Sequence, residues 1–168
     1  FHYYASLAEL SIEPRFATKY VISENVRFKA AGGYYSQNLL SATSDRDVVN
    51  LFYGFLSGPD DLPKTFENQE VTSRLQLANH AVLGLDYDID KYSEIGIEGF
   101  FKDFNQITNI NRDKIFDDKP DYADKPERLR KDYLIERGRA FGGDIRYKFE
   151  NKRLYIWAVY SYTFVDRF

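Results

Sequence analysis

From Leu10 to Ile22 every second residue is apolar, aromatic, proline or threonine: Leu10, Ile12, Pro14, Phe16, Thr18, Tyr20 and Ile22. The positions between them hold Ser11, Glu13, Arg15, Ala17, Lys19 and Val21. Strand side chains alternate with period two, so this stretch predicts one strand with an apolar face and a mostly polar one. Ser23, Glu24 and Asn25 supply a short turn. The next arm continues with Val26, Phe28, Ala30 and Tyr34 against Arg27, Lys29, Ala31 and Gln37, which predicts a long hairpin.

The pattern recurs twice. Ala81, Leu83, Leu85, Tyr87 and Ile89 oppose His80, Asp86 and Asp88; after a turn at Asp90, Lys91 and Tyr92, Ile95, Ile97, Gly99 and Phe101 oppose Glu94, Glu98 and Lys102. A third hairpin sets Phe141, Gly143, Ile145, Tyr147 and Phe149 against Asp144, Arg146 and Lys148. It turns at Glu150, Asn151 and Lys152 and returns from Leu154 to Val165. In that last arm both faces are apolar or aromatic up to Tyr160, so the alternation does not assign its outward side.

Two long connections separate the hairpins, from Gln37 to Ala78 and from Asn105 to Gly138. Structureless loops of such length are uncommon in compact soluble domains. Short turns at one end and long loops at the other are the plan of a transmembrane β-barrel. Thirteen residues from Leu10 to Ile22, at about 3.3 Å each and tilted near 45°, rise roughly 30 Å, a bilayer core. The apolar faces of the first four arms carry no charge, where a lysine or arginine at the midplane would cost about 2–4 kcal/mol. A soluble sandwich would use the same alternation for core and solvent, so that alternative stays open.

Composition narrows the choice. Aromatic residues make up 17% of the chain, with 14 Tyr and 14 Phe, yet the mean hydropathy is negative, a mixture that suits amphipathic strands rather than buried helices. No apolar run approaches the roughly 18 residues of a spanning helix. A net charge of −3 without a basic face argues against nucleic acid as a partner. The absence of cysteine removes disulfides and thiolate chemistry and leaves the compartment open between cytosol and periplasm or outer membrane. A start at Phe1 without a basic-then-apolar leader suggests a mature or trimmed chain.

Candidate chemistry is sparse. His2 and His80 stand in no metal-ligand spacing, and the acidic loop Asp117, Asp118, Lys119, Pro120, Asp121 lacks the order of a calcium loop. No phosphate-binding glycine loop, nucleophile elbow or zinc-binding helix motif occurs, so neither catalysis nor a cofactor or metal is expected. Asp86, Asp88, Glu94 and Glu98 place carboxylates on one face of neighbouring strands, where a hydrogen-bonded wall is the better reading than acid–base work. Glu13, Arg15, Lys19, Arg27, Lys29 and Lys102 complete the charged positions assigned to that face. An apolar run from Val49 to Ser57, with Phe52, Tyr53 and Phe55, falls in a long loop and reads either as packing or as a binding surface. Tyr34, Tyr35 and Gln37, at the outer end of a strand, are further contact candidates.

Several segments also resemble a family. Ser11 to Phe16, Lys29 to Gln37, Asn79 to Tyr87, Glu98 to Phe104, and Gly138 to Asp144 followed by Trp157 to Thr163 look like successive barrel strands of TonB-dependent outer-membrane receptors. The resemblance implies an all-β chain: an antiparallel transmembrane β-barrel segment of about six long strands, with short periplasmic turns and long extracellular loops, cut from a larger plugged barrel. Residues 1–168 would form part of one barrel domain, without the plug domain and the remaining strands. It further implies a location in the bacterial outer membrane and active uptake of a scarce nutrient such as a siderophore, a cobalamin or a glycan. The implied partners are the protein's own plug and the rest of its barrel, the TonB energy-coupling complex, outer-membrane lipid and a surface lipoprotein. Lumen-facing charges would hold the plug. A passive porin and a soluble β-rich carbohydrate-binding protein are the alternatives.

Overall fold

The computed structural model describes residues 1–38, 62–67 and 69–168. Over them the chain is all-β and antiparallel, with β1 (His2–Tyr4), β2 (Glu9–Ser11), β3 (Arg15–Ser23), β4 (Val26–Gln37), β5 (Thr65–Phe66), β6 (Gln69–Glu70), β7 (Gln76–Asp88), β8 (Ser93–Ile110), β9 (Tyr133–Glu150) and β10 (Tyr155–Arg167). Six of these form one sheet in the order β10-β9-β8-β7-β4-β3, while β1–β2 and β5–β6 are separate two-stranded ribbons. Every neighbour in the large sheet is thus the preceding or following long strand, an up-and-down meander whose edges are β3 and β10.

The three expected hairpins form with their turns at residues 24–25, 89–92 and 151–154. The first strand differs. Instead of running unbroken from Leu10 to Ile22 it splits, because Pro14 has no N–H to give a ladder. The Pro14 carbonyl instead accepts from the Tyr34 N–H at 3.1 Å, and Glu9–Ser11 pairs with β1. Pairing shifts by one residue around Ile22, a bulge next to the turn.

The second long connection is shorter than the alternation suggests. β8 runs on to Ile110 and β9 starts at Tyr133, 18 residues each. A bulge at Asn105 and Gln106 changes the phase of β8, so that Ile107 pairs with Glu136 and Ile110 with Tyr133. The remaining residues, 111–132, close on themselves: the Asn111 N–H donates to the Asp132 carbonyl at 2.9 Å. The buried Asn111 carboxamide donates to the carbonyls of Arg128 (2.6 Å) and Lys131 (2.8 Å) and accepts from the Asp113 N–H (3.0 Å). Lys131 Nζ donates to Asp118 at 2.7 Å, and Arg130 pairs with the same carboxylate. This is an Ω-loop.

The register sorts the sheet into two faces. One carries the row Tyr20, Phe28, Leu85, Ile97, Ile145, Tyr160 across all six strands. On its loop side follow Thr18, Ala30, Leu83, Gly99, Gly143, Tyr162 and then Phe16, Gly32, Ala81, Phe101, Phe141, Phe164; on its turn side lie Val26, Tyr87, Ile95, Tyr147, Ala158. None of these rows contains a charge. The next row toward the loops, Tyr34, Asn79, Asp103, Arg139, Asp166, is polar or charged from Asn79 onward. Register with Ile145 also assigns the last arm: Tyr160, Tyr162 and Phe164 stand on the apolar face, Trp157, Val159 and Ser161 on the other.

This apolar face has nothing over it among the described residues; Leu83 is 60% exposed, Ile97 53% and Tyr160 68%. The large hydrophobics that are buried, Leu7, Leu75, Tyr133 and Ile135, all lie toward the loops, beyond the row of phenylalanines. There β1–β2 folds back on the sheet, with the Tyr4 hydroxyl donating to the Ser36 carbonyl at 2.8 Å and Glu9 accepting from Ser73 and Arg74. The water-type core therefore sits at one end of the sheet only.

Candidate functional site

The opposite face is charged, and its charges fall into two groups. Toward the turns, Arg27 on β4 makes a two-pronged pair with Asp88 on β7 and reaches Glu94 on β8 at 3.5 Å. Arg146 on β9 holds Glu94 at 2.6 Å and Asp86 at 3.1 Å, and Asp86 is shared with Lys29 on β4. Bases and acids alternate along Lys29, Asp86, Arg146, Glu94, Arg27 and Asp88, crossing four strands. Asp86 is buried, which a lone carboxylate would not tolerate but one held by two cations does. The Arg146 guanidinium lies 5.4 Å from the Trp157 ring centroid, covering the end of the chain of pairs.

In the row that holds Lys29, one step nearer the loops, Lys29 is the one charge with an ion pair among the described residues. Lys19 stands directly opposite Lys29, and Glu98 directly opposite Asp144, with Gly84 between the two like-charged pairs. Lys19, Glu98 and Asp144 have no ion pair among the described residues, and Lys102 has only the Phe100 ring at 5.4 Å. Like charges set opposite each other on adjacent strands destabilise a sheet that is left by itself. A shallow cavity of about 220 Å³ opens here between Glu98, Asp144, Arg146 and Trp157.

Near the loops the same face turns aromatic. Tyr35 on β4, Ala78 on β7 and Phe104 on β8 are in register, and Gln37 faces Gln76 in the row above. His80 stacks on Tyr35 with ring centroids 4.3 Å apart and meets Phe104 edge-on at 6.3 Å. Arg15 covers Tyr35 at 4.3 Å and donates to Glu13 at 2.5 Å. Glu13 is turned away from the strand face and buried beneath His2, Arg15 and Ser36. Burial works against its charge, but hydrogen bonds from Ser36 and Arg15 and the nearby His2 outweigh it, so the carboxyl ionises below its ordinary range.

Of the residues singled out in the sequence, Lys19, Arg27, Lys29, Asp86, Asp88, Glu94, Glu98 and Lys102 share the charged face, as do Arg15, Tyr35 and Gln37 nearer the loops. Tyr34 stands on the opposite face, 56% exposed. Phe52, Tyr53 and Phe55 lie outside the described residues. Asp144, Arg146, Trp157, Phe104 and Gln76 were not singled out; Asp144 and Arg146 alternate like the other charged positions and could have been, whereas Trp157 needed the register of β10. No cluster of three metal-ligating side chains occurs among the described residues. No protein-family model, curated protein or solved structure matches the chain.

Proposed function

We propose that this chain is part of the barrel wall of an outer-membrane transporter of the TonB-dependent kind, with its apolar face toward lipid and its charged face toward a plugged lumen. The observation that carries the reading is the uncharged belt. From Phe141 to Phe149 on β9 it runs about 27 Å along the strand and, at a tilt near 40°, about 21 Å in height, close to the roughly 25 Å band of such barrels. Phenylalanines rim it on the loop side and Tyr87 and Tyr147 on the turn side, the positions of aromatic girdles. An apolar surface this wide needs a cover, and lipid requires no partner side chains.

The charged face fits the same reading by division of labour. In the network from Lys29 to Asp88 every charge has an ion-pair partner on a neighbouring element, whereas Lys19, Glu98, Asp144 and Lys102 are left for a polar occupant of the lumen. An open sheet edge in lipid leaves backbone groups unpaired at several kcal/mol each, so β3 and β10 require further strands of the barrel. Energy-coupled nutrient uptake, rather than an enzymatic reaction, is the activity such a wall serves.

The test is fractionation of cells producing the full-length protein, followed by uptake in energised and de-energised cells. Retention in alkali-washed outer membranes, with uptake abolished by a protonophore, is the expected result. Uptake that survives the protonophore means a passive porin, and recovery in the aqueous fraction without detergent means a soluble β protein.

A further inference from the structure

β3, one edge of the six-stranded sheet, has a ribbon set at its loop end. Every residue of β3 is exposed, although β4 pairs with one of its two edges. The chain enters β3 from β2, and β1 lies antiparallel on β2, with His2 opposite Ser11, Tyr3 opposite Leu10 and Tyr4 opposite Glu9. The His2 ring comes within 3.4 Å of the Glu13 carboxylate, two positions before the first residue of β3. The chain that leads into β1 is therefore delivered to the start of β3, running in the opposite direction. Since β4 holds one edge of β3, the other edge is the one open to it.

Pro14 does not block such a pairing. In an antiparallel ladder the N–H and C=O of one residue point to the same neighbour, and the Pro14 carbonyl accepts from Tyr34 on β4. The N–H that proline lacks is thus missing on the β4 side alone. By the same alternation Phe16, Thr18 and Tyr20 direct their backbone groups to β4, whereas Arg15, Ala17, Lys19 and Val21 present theirs to the free edge. Such a row of unpaired groups is a template for another strand. We infer that the free edge of β3 is covered by the stretch of the full-length chain that leads into β1, in the register that β1–β2 already sets. The numbers of paired residues there add to 13, so the sixth residue before Phe1 stands opposite Thr18 and the seventh opposite Lys19. The inference rests on reading the sheet as part of a barrel wall. It names which strand of that wall stands beside β3: the preceding one, not one that closes the ring from the far end of the chain.

The test is disulfide mapping in the full-length protein, folded in its membrane and freed of any other cysteine. Thr18→Cys is combined with single cysteines at the fourth to eighth residues before Phe1. Thr18 and its new neighbour form a non-hydrogen-bonded pair, with Cα atoms about 4.5 Å apart, within reach of a disulfide. Oxidation should give an intramolecular bond in highest yield at the sixth position, about fivefold or more above the fifth and seventh, whose side chains lie on the other face. Thr18→Cys with Ala30→Cys, opposite residues of β3 and β4, reports that β3 is folded. The inference is overturned if that control bond forms while none forms to the preceding residues, or if the yield peaks at another position. It is equally overturned by a disulfide-linked dimer, which would assign the edge to a second copy, or by a mature chain whose intact mass starts at Phe1. A protein that forms the expected bond but is recovered from the aqueous fraction would sink the membrane reading and leave this pairing standing.

Discussion

Arg146 reaches Asp86, two strands away, across the backbone of Gly96, which stands in register between them. A Cβ on Gly96 would come within 3.0 Å of both Arg146 Nη2 and Asp86 Oδ1, so the missing side chain is what permits the pair. Gly96→Ala should therefore cost about 1 kcal/mol by crowding. Arg146→Ala, which leaves Asp86 with Lys29 as its remaining cation, should cost about 2 kcal/mol, a buried-pair loss reduced by the partial exposure of Arg146. Urea unfolding of the full-length protein in lipid vesicles measures both; equal stability of Arg146→Ala and the parent would show that the network is ornamental.

The two faces should respond oppositely to the same substitution. Leu85→Arg sits in the middle row of the uncharged belt and should lower stability in vesicles by about 2–4 kcal/mol. Ser161→Arg, on the charged face beside Asp144, should be near neutral. If the belt met water, Leu85→Arg would be harmless and would raise solubility without detergent, a result read directly from the supernatant after high-speed centrifugation.

The loop over residues 111–132 holds one acid-sensitive contact. The hydrogen bond from Lys131, with help from Arg130, holds the Asp118 carboxyl below the ordinary carboxylate range. A group whose folded value is depressed stabilises fully above its unfolded value, about pH 4, and loses that contribution as pH falls through the lower folded value. Pepsin nicking within residues 111–132 should therefore be slow at pH 4 and accelerate toward pH 2. Asp118→Asn should remove most of that rise, while a parent-like profile in the variant would assign the acid response to another group.

Asn111 ties the two ends of that loop. Asn111→Ala strips two carbonyls and one N–H of their partner, at about 1–3 kcal/mol in local stability. Trypsin should then cut after Arg112 or Lys114 several times faster at neutral pH, with strand content unchanged. Unaltered cleavage would mean that the backbone bonds of Ile115 and Phe116 to Leu129 hold the loop without the side chain.

Much of the sheet was legible because its two faces meet different surroundings, and period two records that difference residue by residue. The hairpins around Asn25, Lys91 and Asn151 and the alternation from Ala81 to Phe101 needed nothing else. The register was not legible: Arg27 meets Asp88, 61 positions away, through the pairing of β4 with β7, and no local pattern encodes it. Pro14 was readable as a breaker but was outvoted by the alternation around it. The 18-residue reach of β8 was hidden because the bulge at Asn105 and Gln106 reverses the phase, so that continuous structure looks like an interrupted pattern. The stack of Tyr35, His80 and Phe104 depends likewise on the pairing of three strands.

The meander has one more consequence, for the ways this chain can change length. Each strand is positioned by the turn before it, so a residue added among positions 24–25 or 151–154 changes only that turn. A residue added inside β7 acts as a frameshift does in a coding sequence: from that point on, Leu83 and Leu85 exchange sides with neighbours such as Asp86. The two bulges, at Ile22 and at Asn105 and Gln106, are the places where the strands themselves already shift frame, one beside a turn and one beyond the belt. Single-residue insertions and deletions should accordingly survive in the turns, the loops and those two sites, and be lost from the uncharged rows between them.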